Sequence, residues 1–222
     1  MNENSAPPHS ASQELRKARD QEERRVTILK AAETVFGTKG YHGASINQIA
    51  AEAGFAAGTL YLYFKDKPEL YGSVILEKMR QLVAGVRAAL TSDTSAAKCL
   101  RAFIVFQFSF HETNRQFFEI FLNQTQLEVS PLHKPHWAEL EELKKELLFS
   151  VQNTIAAGQS LGEIALGEPR LYAIAFLGIV LQIVRQSIRE GGEGRLPDRA
   201  DFAANLFLHG ASAPQSGITS QA

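Results

Sequence analysis

The residues best placed to do chemistry make hydrogen bonds rather than break covalent ones. In the segment GTLYLYFK, Leu60 and Phe64 lie one helical turn apart and form an apolar side. The rest of its surface carries Thr59, Tyr61, Tyr63 and Lys65. A buried helix has no use for a hydroxyl, two phenols and an ammonium group, so this surface is expected to be a contact face. Groups of this kind suit base edges and phosphate oxygens.

Two elements must hold that face. Ser45 and Gln48 have the spacing of a capping box, which starts a helix. Ile46, Ile49, Ala50 and Ala53 then recur at helical spacing up to Gly54, a residue able to take the left-handed backbone of a helix end. Phe55 can turn inward as a plug, and a second helix starts at about Ala57. Two short helices around one tight turn are the pattern of a helix-turn-helix, whose second helix enters the DNA major groove.

The run KGYHGASINQIAAEAGFAAGTLYLYFKDKPEL resembles the amino-terminal domain of the TetR family of transcriptional regulators, most closely from Gly58 to Leu70. The resemblance covers about Arg24 to Val74; the remainder matches only in being helical and of suitable length. It implies DNA contacts from Ser45 and Asn47 on the first helix of the motif, from Ala57, Gly58, Thr59, Tyr61 and Tyr63 on the second, and from Lys67 beyond it. Asn47 can pair with an adenine edge and Thr59 with a thymine methyl or a base acceptor, while Tyr61, Tyr63 and Lys67 suit phosphate. Ala56-Ala57 departs from the family pattern, because alanine can neither cap the reading helix nor hydrogen-bond a base. The resemblance also implies a repressor released by a hydrophobic or amphipathic small molecule.

Composition sets the outer bounds. The chain has 222 residues and is 45% apolar, enough to bury a sizeable core. The single cysteine, Cys99, excludes an intrachain disulfide, and the first residues lack the basic and apolar regions of a signal peptide, so a cytoplasmic protein is expected. The run Leu171–Val184 is shorter than the roughly 20 residues of a membrane span, and no membrane segment is expected. Formal net charge is −1, and residues 1 to 67 hold nine Lys and Arg against eight Asp and Glu, so phosphate contact must come from placement, with Arg24, Arg25, Lys65 and Lys67 as candidates.

The expected fold is all-α with roughly nine helices. Residues 1–20 are expected as a flexible tail, 21–68 as the helix-turn-helix domain, 69–210 as a helical ligand-binding and dimerisation domain, and 211–222 as a second flexible tail. Ile28, Ala32, Val35 and Phe36 form the stripe of a buttressing helix closed by Lys39-Gly40. Asp66 and Glu69 cap a helix of roughly six turns carrying Leu70, Val74, Ile75, Met79, Leu82, Val86 and Leu90. Helices are also expected over Ala96–His111, Asn114–Glu128, Glu139–Ala156 with Gly158 as terminator, Pro169–Arg189, and from an Asp198 cap to His209. The prolines of SPLHKPHW, 130–137, predict a loop; His133 and His136 within it are not expected to bind metal.

Seven of the fourteen phenylalanines lie between Phe103 and Phe121. Most belong to a core, but Phe103, Phe106, Gln107 and Phe110 share a helix surface of the kind that lines a small-molecule pocket, with Trp137 and Phe176 as further candidates. The helix from Pro169 has almost no polar side, which is most simply met by the same helix in a second subunit. Leu171, Ile174, Leu177 and Leu181, with Phe202 and Leu206 on the last helix, are therefore the expected homodimer interface. A two-fold dimer would read a palindromic operator in double-stranded DNA. No phosphate-binding glycine loop, metal cluster or nucleophile with a paired base is evident, so neither an enzyme nor a cofactor is expected. The rival is a helical regulator whose tyrosines contact protein instead of DNA, favoured by the near-neutral amino-terminal charge.

Overall fold

The computed structural model describes residues 8–91, 93–115, 117–118, 134–190 and 195–211. Those residues form eight α-helices and one 3-10 turn, and group into two compact units, the described residues up to Val74 and those from Ile75 on.

The first unit holds α1 (Pro8–Gly43), α2 (Ile46–Ala53), α3 (Ala57–Leu60) and the start of α4 (Lys67–Leu90). Residues 8–20 belong to α1. Pro8 takes the first position, where its missing amide costs nothing. The predicted stripe is buried, with Ile28 and Ala32 inaccessible to solvent. Gly40, at φ +69°, kinks the end of α1. Its neighbour Tyr41 folds inward, and the rings of Phe36, Tyr41 and Tyr71 meet, with Tyr71 5.0 Å from each of the other two. Ile49, Ala50, Leu60, Phe64 and Leu70 of the same unit are buried as well.

The second unit holds the rest of α4, then α5 (Ala96–Thr113), α6 (Lys134–Ser160), α7 (Pro169–Arg189) and α8 (Ala200–Ala211). Ser95 caps α5 with its hydroxyl, and Glu163 accepts hydrogen bonds from Ser95 Oγ and the Ala97 amide. The core is built on Leu100, Phe103, Ile104 and Phe108 of α5, Val151 and Ile155 of α6, Phe176 and Val180 of α7, and Phe207 of α8. Ion pairs Arg80–Glu139 and Arg87–Glu146, seven residues apart on each helix, join α4 to α6.

Four expectations are corrected. Lys134–Trp137 is the first turn of α6 and not loop, because Pro135 falls where no helical amide is needed; His133 and most of Asn114–Glu128 lie outside the described residues. Gly158 lies inside α6 and does not terminate it. A Cβ there would fall 2.7 Å from that of Ala96, so this glycine permits a close approach, while Gly162 at φ +73° makes the turn. Asp198 lies in the 3-10 turn Leu196–Arg199, ahead of α8 rather than at its cap. Finally, α7 spans 21 residues with a mean hydropathy of 1.7 over its most apolar window, so by length and composition it could cross a membrane, and the run-length argument does not hold. Its Ala173, Phe176, Val180 and Val184 nevertheless pack into the helical core.

Candidate functional site

The reading element is fixed by backbone chemistry. Gln48 N–H donates to Ser45 Oγ at 3.3 Å and Ser45 N–H to Gln48 Oε1 at 3.0 Å, so the expected capping box is complete. Gly54, at φ +72°, ends α2; its amide donates to Ala51 O at 3.2 Å and the Phe55 amide to Ala50 O at 2.9 Å. Those two bonds are a Schellman motif, which closes the last carbonyls of α2 and turns the chain sharply. Helix α3 then has only four residues, and Ala56 gives it no side-chain cap. The helical trace continues through turns, with Tyr63 and Phe64 amides both donating to Leu60 O, at 3.0 and 2.9 Å.

With Leu60 and Phe64 buried, the remaining side chains have nowhere to go but outward. Tyr61 is 57% exposed, and Thr59 and Tyr63 are half-buried. Ser45, Asn47 and Gly58 are exposed and Ala57 half-buried. The Ser45 oxygen is occupied as the helix cap, which leaves its O–H to donate. Lys67 is more constrained than its sequence role implies. Its Nζ donates to Tyr41 O at 2.8 Å and Ala44 O at 3.0 Å, and lies 4.4 Å from the Tyr41 ring centroid. Lys67 thus ties the start of α4 to the end of α1, with one N–H left over. Sequence reasoning passed over Leu62, which is 82% exposed beside Tyr63; its position between two contact-face residues was the available signal.

In the second unit, α5 brings Phe103, Phe106, Gln107 and Phe110 onto one helix surface. Phe103 is fully buried, its ring 5.0 Å from Phe176, which in turn lies 5.0 Å from Phe207. Phe106 presses on α4 so closely that a Cβ on Gly85 would fall 1.9 Å from its ring. Phe110 lies 5.8 Å from Phe106 and 6.1 Å from Phe118. Gln107 is buried and its Oε1 has no hydrogen-bond partner among the described residues, a costly state for a polar atom. His111, one turn on, is buried with Nδ1 2.8 Å from Gln107 O. A carbonyl can only accept, so Nδ1 carries the proton. Burial, partly offset by that bond, pushes the His111 pKa down to about 4. Trp137 is half-buried on α6, where its described ring contact is Lys144 Nζ at 5.8 Å.

The expected subunit-contact residues are bare in the single chain. Leu171 is 59% exposed, Ile174 48%, Phe202 65% and Leu206 52%; Leu181 is also exposed and Leu177 half-buried. Gly178 lies within this stripe and a Cβ there would meet nothing within 4 Å.

A capped helix, a tight glycine turn and a second helix presenting hydroxyls on an all-helical frame define a helix-turn-helix DNA-binding protein. Comparison with known proteins places it further. The family model for bacterial regulatory proteins of the tetR family matches residues 28–74. The fatty acid metabolism regulator protein of Bacillus subtilis is 30% identical over 140 residues, 63% of this chain and 70% of that one. The transcriptional activator FasR of Mycolicibacterium smegmatis is 41% identical over 95 residues, 43% of each chain. Among solved structures, FadR from Bacillus subtilis in complex with stearoyl-CoA superposes with a TM-score of 0.72 at 26% identity, covering 83% of this chain and 98% of that one. The chain belongs to the TetR family: it is a ligand-responsive DNA-binding transcriptional regulator and not an enzyme.

Proposed function

We propose that the protein is a cytoplasmic repressor that binds a palindromic operator as a homodimer and is released by a long-chain acyl thioester. The observation that carries the dimer is the bare apolar stripe of α7 and α8. Leu171, Ile174, Leu181, Phe202 and Leu206 would be wasted in water, and the open Gly178 leaves room for a helix of a second copy. Two-fold symmetry then supplies two reading turns, each worth little alone.

The effector class rests on the fatty-acid relatives and on the chemistry of α5. The half-buried Phe106 and Phe110, with Trp137, offer apolar surface to a chain, Phe103 and Phe176 being taken up in the core behind them, while Gln107 Oε1, without a hydrogen-bond partner among the described residues, is a polar group open to a donor. The contact of Phe106 with Gly85 gives a ligand at α5 a direct handle on α4, the helix that begins at Lys67. A ligand fitting one arrangement better than the other shifts the population by its differential affinity, typically about 1 to 3 kcal/mol.

The test is DNA binding to the chain's own upstream promoter, by gel shift, with stearoyl-CoA titrated in. Release with an apparent loss of affinity of about 5- to 150-fold is expected. Unchanged binding at saturating thioester would overturn the effector class. Ile174→Glu should give monomers in sedimentation that no longer shift the DNA; a variant that stays dimeric would contradict the interface.

A further inference from the structure

Helix α1 begins at Pro8, whereas the family model's match begins at residue 28. The helix before Ile28 therefore extends roughly 30 Å at 1.5 Å per residue. Nothing in the unit explains it as core. Leu15 is 72% exposed and Val26 39%, and the remaining described residues of 12–27 are polar or small, exposed apart from the half-buried Arg25. A helix polar all round persists either through side-chain pairs one turn apart or through an outside partner.

Its charges are sorted. Arg19 pairs with Glu23 at 3.1 Å and Arg25 approaches Glu22 at 3.9 Å, so those acids are engaged within the helix. Lys17, Gln21 and Arg24 recur at i, i+4 and i+7 and form a separate stripe. Lys17 and Arg24 are exposed and have no carboxylate partner among the described residues. This stripe borders the reading turn: Lys17, Gln21, Arg24 and Arg25, with the acids Asp20 and Glu22, the latter engaged by Arg25, line a groove of about 630 Å³ whose other wall is Leu62 and Tyr63. Arg25 fastens that arrangement, its guanidinium carbon 5.6 Å from the Phe64 ring centroid.

We propose that this amino-terminal extension of α1 is a second DNA-contacting limb, which sets Lys17 and Arg24 on backbone phosphates flanking the half-site read by Thr59 to Tyr63. The partner is duplex backbone because the stripe offers two unpaired cations and an amide, and because its groove shares a wall with the reading turn. Contacts of this kind add affinity and register without reading sequence. The proposal rests on the reading turn docking to DNA.

The experiment compares the full-length chain with a Lys17→Ala/Arg24→Ala variant by fluorescence anisotropy on promoter DNA across a salt series. Helical content and melting temperature are recorded for both, since these surface changes should leave them unaltered. The expected result is a log K against log salt slope shallower by about 2 per bound protomer, and affinity about 10- to 100-fold weaker at low salt, without a change in sequence preference. Trimming the duplex flanks should weaken the wild type toward the variant and leave the variant itself unaffected. An unchanged slope in the double variant, while Thr59→Ala still weakens binding, would overturn the limb and leave it a solvated or protein-binding helix. If Thr59→Ala and the double variant both bind as wild type, the docking of the reading turn fails and takes the limb with it.

Discussion

The two units use their apolar residues differently. The amino-terminal unit is held by a few local devices, each tied to one residue type: the Ser45–Gln48 box, the Gly54 turn, and Lys67 bonded to two carbonyls. The carboxy-terminal unit is held by broad stripes in which Phe103, Phe108, Phe176 and Val180 interlock, and part of its apolar surface, from Leu171 to Leu206, is left uncovered. A surface that must meet a fixed duplex is set by backbone geometry, whereas one that meets a greasy ligand or a second copy needs only shape and apolarity.

The largest effects should come from cutting each unit at its centre. Phe36→Ala removes a ring packed edge-on to Tyr71 and should cost about 3 to 5 kcal/mol in urea unfolding. It should abolish DNA binding while leaving the oligomer intact. Phe103→Ala should cost a similar amount but strike dimerisation and effector response first. If both variants lose the same functions, the division of labour is wrong.

Acid should then separate the units. His111 is neutral in the folded protein, with its pKa pushed down to about 4 from an ordinary value near 6.5. Below pH 6.5 the unfolded chain takes up a proton that the native protein refuses until about pH 4. The stability present above 6.5 is thus lost as pH falls through that window, by up to about 3 kcal/mol. Chemical denaturation from pH 7 to 4 should show this slope, and His111→Phe should flatten it; a slope that persists would assign it elsewhere.

Removing a single cap should do less. Ser45→Ala is expected to cost about 1 kcal/mol and to weaken operator binding, since α2 loses the hydroxyl that closes its first turn. Smallest of all, Arg87→Ala opens an exposed ion pair with Glu146 and should change stability by less than about 1 kcal/mol. A larger loss would mean that the α4–α6 pairs act as a network.

The same contrast explains what the sequence made legible. Ser45 with Gln48, Gly54, and the Leu60–Phe64 pair are short-range signals whose meaning does not depend on distant partners, and the structure carries each of them. Gly158 and Gly162 could not be told apart, because the role of Gly158 is set by Ala96 more than 60 residues away. Pro135 misled for a related reason: a proline reads as a break until the helix start is known to fall beside it. The inward turn of Tyr41, the Lys67 bonds and the lone Gln107 Oε1 are tertiary facts with no spacing to announce them.

The central claim is that the outward groups from Thr59 to Tyr63 meet DNA. It is tested most directly by measuring operator affinity of a Thr59→Ala/Tyr61→Ala variant by anisotropy, against matched non-specific DNA. A loss of specific affinity of about 1 to 3 kcal/mol is expected from the Thr59 base contact, with a further loss on both DNAs from the Tyr61 phosphate hydrogen bond, an unchanged salt slope because a neutral phenol releases no counterion, and an unchanged fold. Wild-type affinity for the operator in a folded variant would contradict it.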